Sequence, residues 1–470
     1  MADVLLTHSN HLFHDTKQAR KMQPYPPLQT LLAAACLRRA GYRVALFDPA
    51  LQAPESGFEQ ALALHRPRLV AICEDNFNFL TKMCLLRNRE LACWMARTAR
   101  RAGVPVIVNG ADASDHAAEY LQAGFSYVLE GEVEEAIVEV ARLVLSGDRR
   151  ISASEPRGVA FRDPQSGAVC HTPRRAPIAD LDSLPMPAWD LIDAAPYRQA
   201  WHAAHGYFSM NMVSSRGCPY RCNWCAKPIW GDSYHCRGAG LVAEEMLELK
   251  ARFQPEHLWF ADDIFALSQH WTLEFADAVD QLGARIPFKM QSRCDLMTRP
   301  TVSALRRAGC VEVWMGVESG AQDVLDAMDK GTRLSQIYEA RENLRRNGIR
   351  ACYFLQFGYP GETWTEIEKT IALVRETRPD DIGISVSYPL PGTAFHRMVS
   401  SQLGPKENWA ESGDLDMMFQ GAFTSRFYRA LADALHVEVR EGRGAAEEPW
   451  AHVFALKETC ARKLPIWISC

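Results

Sequence analysis

The stretch Gly217-Cys218-Pro219-Tyr220-Arg221-Cys222-Asn223-Trp224-Cys225 sets three cysteines at spacing C-x3-C-x2-C, directly behind an apolar, strand-like run at 208–213. Three thiolates in one tight loop can ligate three irons of a cubic 4Fe–4S cluster, which ordinarily takes four cysteines. One iron is then left open for a small molecule, as in catalytic rather than structural metal sites. A structural zinc with Cys236 or His235 as fourth ligand is the alternative. Zinc sites, however, usually pair C-x2-C with a second such pair or with histidines, and the chain has no second pair.

The nonapeptide resembles the cluster loop of the radical S-adenosylmethionine (SAM) enzymes. The resemblance implies that Cys218, Cys222 and Cys225 hold the cluster and that Trp224 lies beside the adenine of SAM. In that family the open iron chelates SAM through its amino and carboxylate groups. One electron then releases a 5′-deoxyadenosyl radical, which abstracts hydrogen from the substrate.

Downstream of the loop, short apolar runs at 257–260, 288–291, 312–315, 351–357 and 381–387 alternate with helix-period segments at 244–252, 271–282, 301–308, 334–347 and 365–377. With the run at 208–213 this makes six β/α units, expected to form a partial (β/α)6 barrel with polar residues at the strand ends, where barrels place active sites. By resemblance, Asp262 contacts the SAM amino group, in Ala-Asp-Asp rather than the commoner Gly-Gly-Glu. Arg293 meets the SAM carboxylate, Glu318 accepts from the ribose hydroxyls, and Gly358 and Gly361 let backbone approach the adenine. Each has a structural alternative: a helix cap for Asp262, a solvated turn for Glu318, a plain turn for Gly361. No catalytic residue is assigned.

Upstream, residues 1–150 alternate strand and helix in the manner of a doubly wound parallel sheet. No G-x-G-x-x-G follows the first strand, so a dinucleotide site is not supported. A domain of this kind ahead of a radical SAM loop resembles the cobalamin-binding domain of the B12-dependent radical SAM enzymes. The resemblance places cobalamin at the strand ends, with Asn76, Asn109, Gly110, Glu130, Gly131 and Glu132 as binding residues. The D-x-H-x-x-G motif that supplies a histidine to cobalt in other B12 proteins is absent. A relic Rossmann-like domain used for packing is the alternative.

The fold expected is therefore α/β: a cobalamin-binding Rossmann-like domain (1–150), a connector (151–205) with a small hairpin at 158–162 and 169–172, a radical SAM core (206–400) and a helical C-terminal segment (401–470). Helices are expected at 423–440 and 450–464, and Trp409, Trp450 and Trp467 are read as packing residues.

At 470 residues the chain is long enough for two or three domains. Its net charge of −5, without any long Lys/Arg run, argues against a nucleic-acid surface. The 14 scattered cysteines read as reduced thiols, which with the strand-like N-terminus and no 18-residue apolar run suggests a cytoplasmic protein with no membrane span. The resemblance implies a small-molecule substrate and an electron donor such as flavodoxin or ferredoxin. The activity it implies is methylation of an unactivated carbon through methylcobalamin. Oxidative cyclisation or rearrangement without methyl transfer, and a non-catalytic iron–sulfur regulator, are the alternatives.

Overall fold

The computed structural model describes residues 1–77, 86–147, 155–227, 229–404 and 415–461. The chain divides into two compact units. The first takes in Met1–Cys218 and Lys227–Asp263; the second takes in Pro219–Ala226, Ile264–Glu407 and the chain beyond Gly413.

The first unit is built on a seven-stranded sheet. Its strands are β1 (Val4–Thr7), β2 (Val44–Leu46), β3 (Leu69–Cys73), β4 (Val106–Asn109), β5 (Tyr127–Leu129), β6 (Val159–Arg162) and β7 (Val169–His171), in the order β2-β1-β3-β4-β5-β6-β7. β1 to β5 are parallel. β1, β3, β4 and β5 are buried along their whole length, so they read as unbroken apolar runs rather than as alternation. One core, with Phe58, Met95 and Tyr120, covers one side of the sheet; another, with Leu37, Ile137 and Val140, covers the other. The strand order reverses beside β1, which has β2 on one side and β3 on the other; open α/β sheets bind ligands at such points.

The hairpin assigned to the connector is present as β6 and β7, and it pairs antiparallel onto β5. It covers an edge that would otherwise expose unpaired backbone groups. The helix Pro54–His65 starts on a proline, whose fixed φ suits a first turn. A five-residue helix, Ala111–Asp115, is too short to give a periodic signal. The helix Ala195–His205 was also not anticipated; it buries Trp201, whose indole donates to Pro24 O at 2.7 Å.

The first unit also holds β8 (Ser209–Met212) and β11 (His257–Phe260), which are parallel and joined through the helix Ala239–Phe253. Between them, β9 (Ser215–Arg216) and β10 (His235–Cys236) form a two-residue antiparallel ladder. The second unit continues the β/α alternation with β12 (Phe288–Ser292), β13 (Cys310–Glu318), β14 (Arg350–Phe357) and β15 (Asp381–Val386), each parallel to the next. β13 runs three residues beyond the expected end and slips register between Gly316 and Glu318. Helices Ser425–Glu441 and Glu447–Ala461 follow, the first fixed by Arg375, which grips Glu438 at 2.8 and 2.9 Å. The expected end of the last helix, with Trp409, Trp467 and Cys470, lies outside the described residues. No described helix is long and apolar enough to cross a membrane.

Gly320, just past β13, lets the strand end close onto the helix Trp364–Thr377. A Cβ there would lie 2.5 Å from Lys369 O and 2.6 Å from Thr370 Cα, both of them backbone atoms. Gly320→Ala is therefore expected to cost about 1–3 kcal/mol in urea unfolding, the range for overpacking a close contact.

Candidate active site

The approach to the cysteine loop is fixed by a buried charge cluster in the first unit. Arg216, the last residue of β9, is 4% exposed. Its Nη1 donates to Glu132 Oε1 at 2.6 Å and its Nη2 to Glu134 Oε1 at 2.5 Å. Burial alone would favour loss of its charge; Glu134 and Glu132 outweigh this and hold the guanidinium above its ordinary pKa. Glu132 Oε2 also accepts from Ile178 N at 2.5 Å, and Glu134 Oε1 from Gln29 Nε2 at 3.0 Å. Gln29 N reaches Asp75 Oδ1 at 3.4 Å. The ends of β3 and β5 and the start of the helix Leu28–Arg39 are thus tied to the residue two before Cys218.

Gly217 has φ +77°, and a Cβ on it would lie 2.2 Å from Ser233 O. Only glycine fits there. Lys227 Nζ holds the carbonyl of Cys218 at 2.9 Å. Asp262, fully buried past the end of β11, accepts from Ser214 Oγ and Ser215 Oγ, each at 2.6 Å, and from Ser214 N at 3.1 Å. Burial raises its carboxyl to about 6 against these hydrogen bonds, which oppose the shift. The next helix, Gln269–Leu282, is capped by Ser268, so Asp262 serves the loop approach rather than a helix end.

In the second unit the C-x2-C half of the loop is held by Asn223, which the sequence reading passed over. Its N–H donates to Met328 O at 3.1 Å and its carbonyl accepts from Phe395 N at 3.0 Å. Nδ2 donates to Ala327 O at 2.7 Å and Oδ1 accepts from Tyr359 OH at 3.0 Å. Trp224 packs against the apolar cluster that includes Ala321, Met328, Tyr359 and Phe395, and its indole Nε1 is buried without a partner among the described residues. Arg293 is 5% exposed; its guanidinium lies 3.7 Å over the Tyr220 ring and bonds to Asp295 and Thr332. Glu318 is 4% exposed, so it is not a solvated turn residue; Lys330 Nζ donates to its Oε1 at 2.8 Å. Its φ of +62° belongs to the left-handed region, at the register slip of β13. Gly358 and Gly361 have φ of +77° and +87° in the turn after β14. There Gly358 N donates to Glu362 Oε2 at 2.5 Å, and burial raises the Glu362 carboxyl to about 8.

None of the three loop cysteines is in a disulfide, and all are half-buried. Among the described residues no three His, Cys, Asp or Glu side chains converge as one metal ion would require. Cys236, considered above as a zinc ligand, pairs with Ser215 in the β9–β10 ladder, and burial raises its thiol to about 12, which disfavours the ligating thiolate.

The residues named for cobalamin gather at the ends of β3, β4 and β5, but several are occupied with one another. Asn76 Nδ2 donates to Asn109 Oδ1 at 3.1 Å, and Asn76 Oδ1 accepts from Ala111 N at 3.2 Å. Asn109 Nδ2 donates to the carbonyls of Leu129 and Gly131. Gly110 leaves room for Glu74, whose Cγ would be 2.9 Å from a Cβ. Glu130 pairs with exposed His171 at 2.8 Å, and Gly131, at φ +80°, has open space where a Cβ would stand.

On the half-exposed face of β13 to β15, register sets Gly316 beside Phe354 and Phe354 beside Gly383. Phe354 is consequently 38% exposed, and its ring lies 4.9 Å from that of Trp314.

Residues 212–374 match the Radical SAM superfamily model. An uncharacterized methyltransferase of Pyrococcus horikoshii is 26% identical over 261 residues, 55% of this chain and 55% of that protein. The chain thus spans about half the length of that curated relative. The hopanoid C-3 methylase of Methylococcus capsulatus is 26% identical over 395 residues, 81% of this chain and 70% of that protein. Among solved structures, the radical SAM methyltransferase TsrM of Kitasatospora setae, bound to cobalamin and a 4Fe–4S cluster, superposes with a TM-score of 0.68 at 19% identity, covering 85% of this chain and 78% of that one.

Two outcomes test the charge placements. Arg216→Ala strands two buried carboxylates and is expected to cost about 3–5 kcal/mol in urea unfolding, most of it recovered when Glu132 and Glu134 are also made glutamine. Between the ordinary carboxyl range and about pH 6, native Asp262 keeps a proton that the unfolded chain has released, so stability falls as pH rises through that window. Asp262→Asn removes this slope. The stability of wild type relative to the variant should drop by roughly 2–3 kcal/mol between about pH 4 and about pH 7.

Proposed function

We propose that this chain, a member of the radical SAM superfamily, is a cobalamin-dependent radical SAM methyltransferase acting on an unactivated carbon of a small molecule. The observation that carries the reading is the loop itself: three cysteines outside any disulfide, spread along a backbone that Gly217, Lys227 and Asn223 hold in place. Three thiolates in one loop suit the three irons of a cubane whose fourth iron stays open. Cys218, Cys222 and Cys225 hold the cluster in this reading.

When bound, the cluster supplies the electron that cleaves SAM and cobalamin supplies the methyl group. The chain's own residues do the positioning. Arg293 offers a guanidinium whose Nε and Nη2 are already fixed, which suits a carboxylate at the remaining edge. Trp224 brings a buried indole N–H in need of an acceptor. Asp262 sets the serines that open the loop, and Glu318 and the Gly358–Gly361 turn lie at the ends of β13 and β14. The strand-end edge of the first sheet would hold cobalamin, with Asn76, Asn109, Gly110 and Glu132 keeping the edge together and Glu130 and Gly131 at its outer side. The Trp314–Phe354 pair favours a substrate with a broad apolar face. An electron donor of the flavodoxin or ferredoxin class would supply the reducing electron.

The test is anaerobic reconstitution with cobalamin, SAM and a strong reductant, measuring 5′-deoxyadenosine and S-adenosylhomocysteine together by mass spectrometry. Both products are expected, and both are lost in Cys218→Ala, Cys222→Ala and Cys225→Ala. Deoxyadenosine without S-adenosylhomocysteine would overturn methyl transfer and point to cyclisation or rearrangement.

A further inference from the structure

Lys330 has no place in the sequence reading, yet it is 6% exposed and lies in a segment fastened to the cysteine loop at both ends. At one end, Asn223 bonds to Ala327 O and Met328 O. At the other, Arg293 bonds to Thr332 while stacking on Tyr220. Tyr220 and Asn223 lie on either side of Cys222 in sequence, so the segment that carries Lys330 is anchored to the stretch of loop that holds that cysteine. The ammonium is aimed inward: Nζ meets Glu318 Oε1 at 2.8 Å and would lie 2.6 Å from a Cβ on Gly316. The site is built around this cation, since a side chain at Gly316 would displace it. The ion pair with Glu318 keeps the ammonium charged in this buried position.

We propose that Lys330 is a positioning residue whose buried ammonium balances the negative charge at Cys222 and so raises the reduction potential of the cluster the loop holds, with Glu318 fixing the ammonium and partly offsetting it. The inference rests on the cluster reading above. Reduction adds an electron to a centre already surrounded by thiolates. A cation held nearby in a poorly solvated interior favours the reduced form, and a nearby anion disfavours it.

The test is a redox titration of the reconstituted cluster without SAM, followed by electron paramagnetic resonance of the reduced form, with iron and sulfide content measured alongside. At the potential where wild type is half reduced, Lys330→Met is expected to lower the reduced-to-oxidised ratio on the order of tenfold. Glu318→Gln should raise that ratio. Lys330→Arg and the double variant Lys330→Met/Glu318→Gln should return close to wild type. Opposite shifts from the two single variants are what a purely structural role would not produce. Equal potentials across clusters of full iron content, or shifts of the same sign in both single variants, would overturn the assignment while leaving the cluster reading intact. A wild type that assembles no cluster would overturn the cluster reading and this assignment with it. Should Lys330→Met fail to fold, Glu318→Gln and Lys330→Arg decide the matter.

Discussion

A guanidinium sealed between two carboxylates fixes the end of the first unit's chain that leads into Cys218. Arg216 stands two residues before Cys218 and binds Glu132 and Glu134, which follow directly on the last parallel strand of the first sheet. Three ionised groups buried together gain little net stability over an apolar cluster of the same shape, but removing one member leaves charges that the interior cannot solvate. The arrangement therefore works as a register pin. Glu132 cannot shift without unseating Arg216, and Arg216 cannot shift without moving the glycine that opens the cysteine loop. The strand ends where a ligand of the first sheet would lie and the mouth of the loop are mechanically one piece.

Much of this was legible in the sequence. Strands β11, β14 and β15 lie within a residue of where the apolar runs placed them, because parallel strands are short, apolar and bounded by glycine or polar residues. The strand-end residues from Asp262 to Gly361 were picked out by resemblance, and each stands at or just past the end of its strand. Contacts between residues distant in sequence were not legible. Neither Asn223 nor Lys330 was singled out in the sequence. Their importance comes from partners about 100 residues away in the first case and from Glu318 across a strand slip in the second. The two-residue β9–β10 ladder and the helix at Ala111–Asp115 are below the length at which any period shows.

The strand-end polar residues of the first sheet illustrate a further limit. A sequence displays Asn76, Asn109 and Glu132 as groups available to a ligand. The fold commits them to each other, to backbone carbonyls and to Arg216. Buried amides and carboxylates must be satisfied before they can serve anything else. The two glycine turns, at Gly110 and Gly131, are then the more informative signal, because they report where backbone comes close to a neighbour or is left uncovered.

Gly217 shows how such a fold constrains its own future. The carbonyl of Ser233 occupies the space that any side chain would need, and that carbonyl belongs to backbone leading into the β9–β10 ladder. A mutation at Gly217 has no small-step remedy, since a compensating change would have to reroute main chain rather than trim a neighbouring side chain. The lineage can remodel the loop's exposed residues and still keep this turn. It cannot wander away from glycine by single substitutions, and the entrance to the loop is in that sense evolutionarily locked.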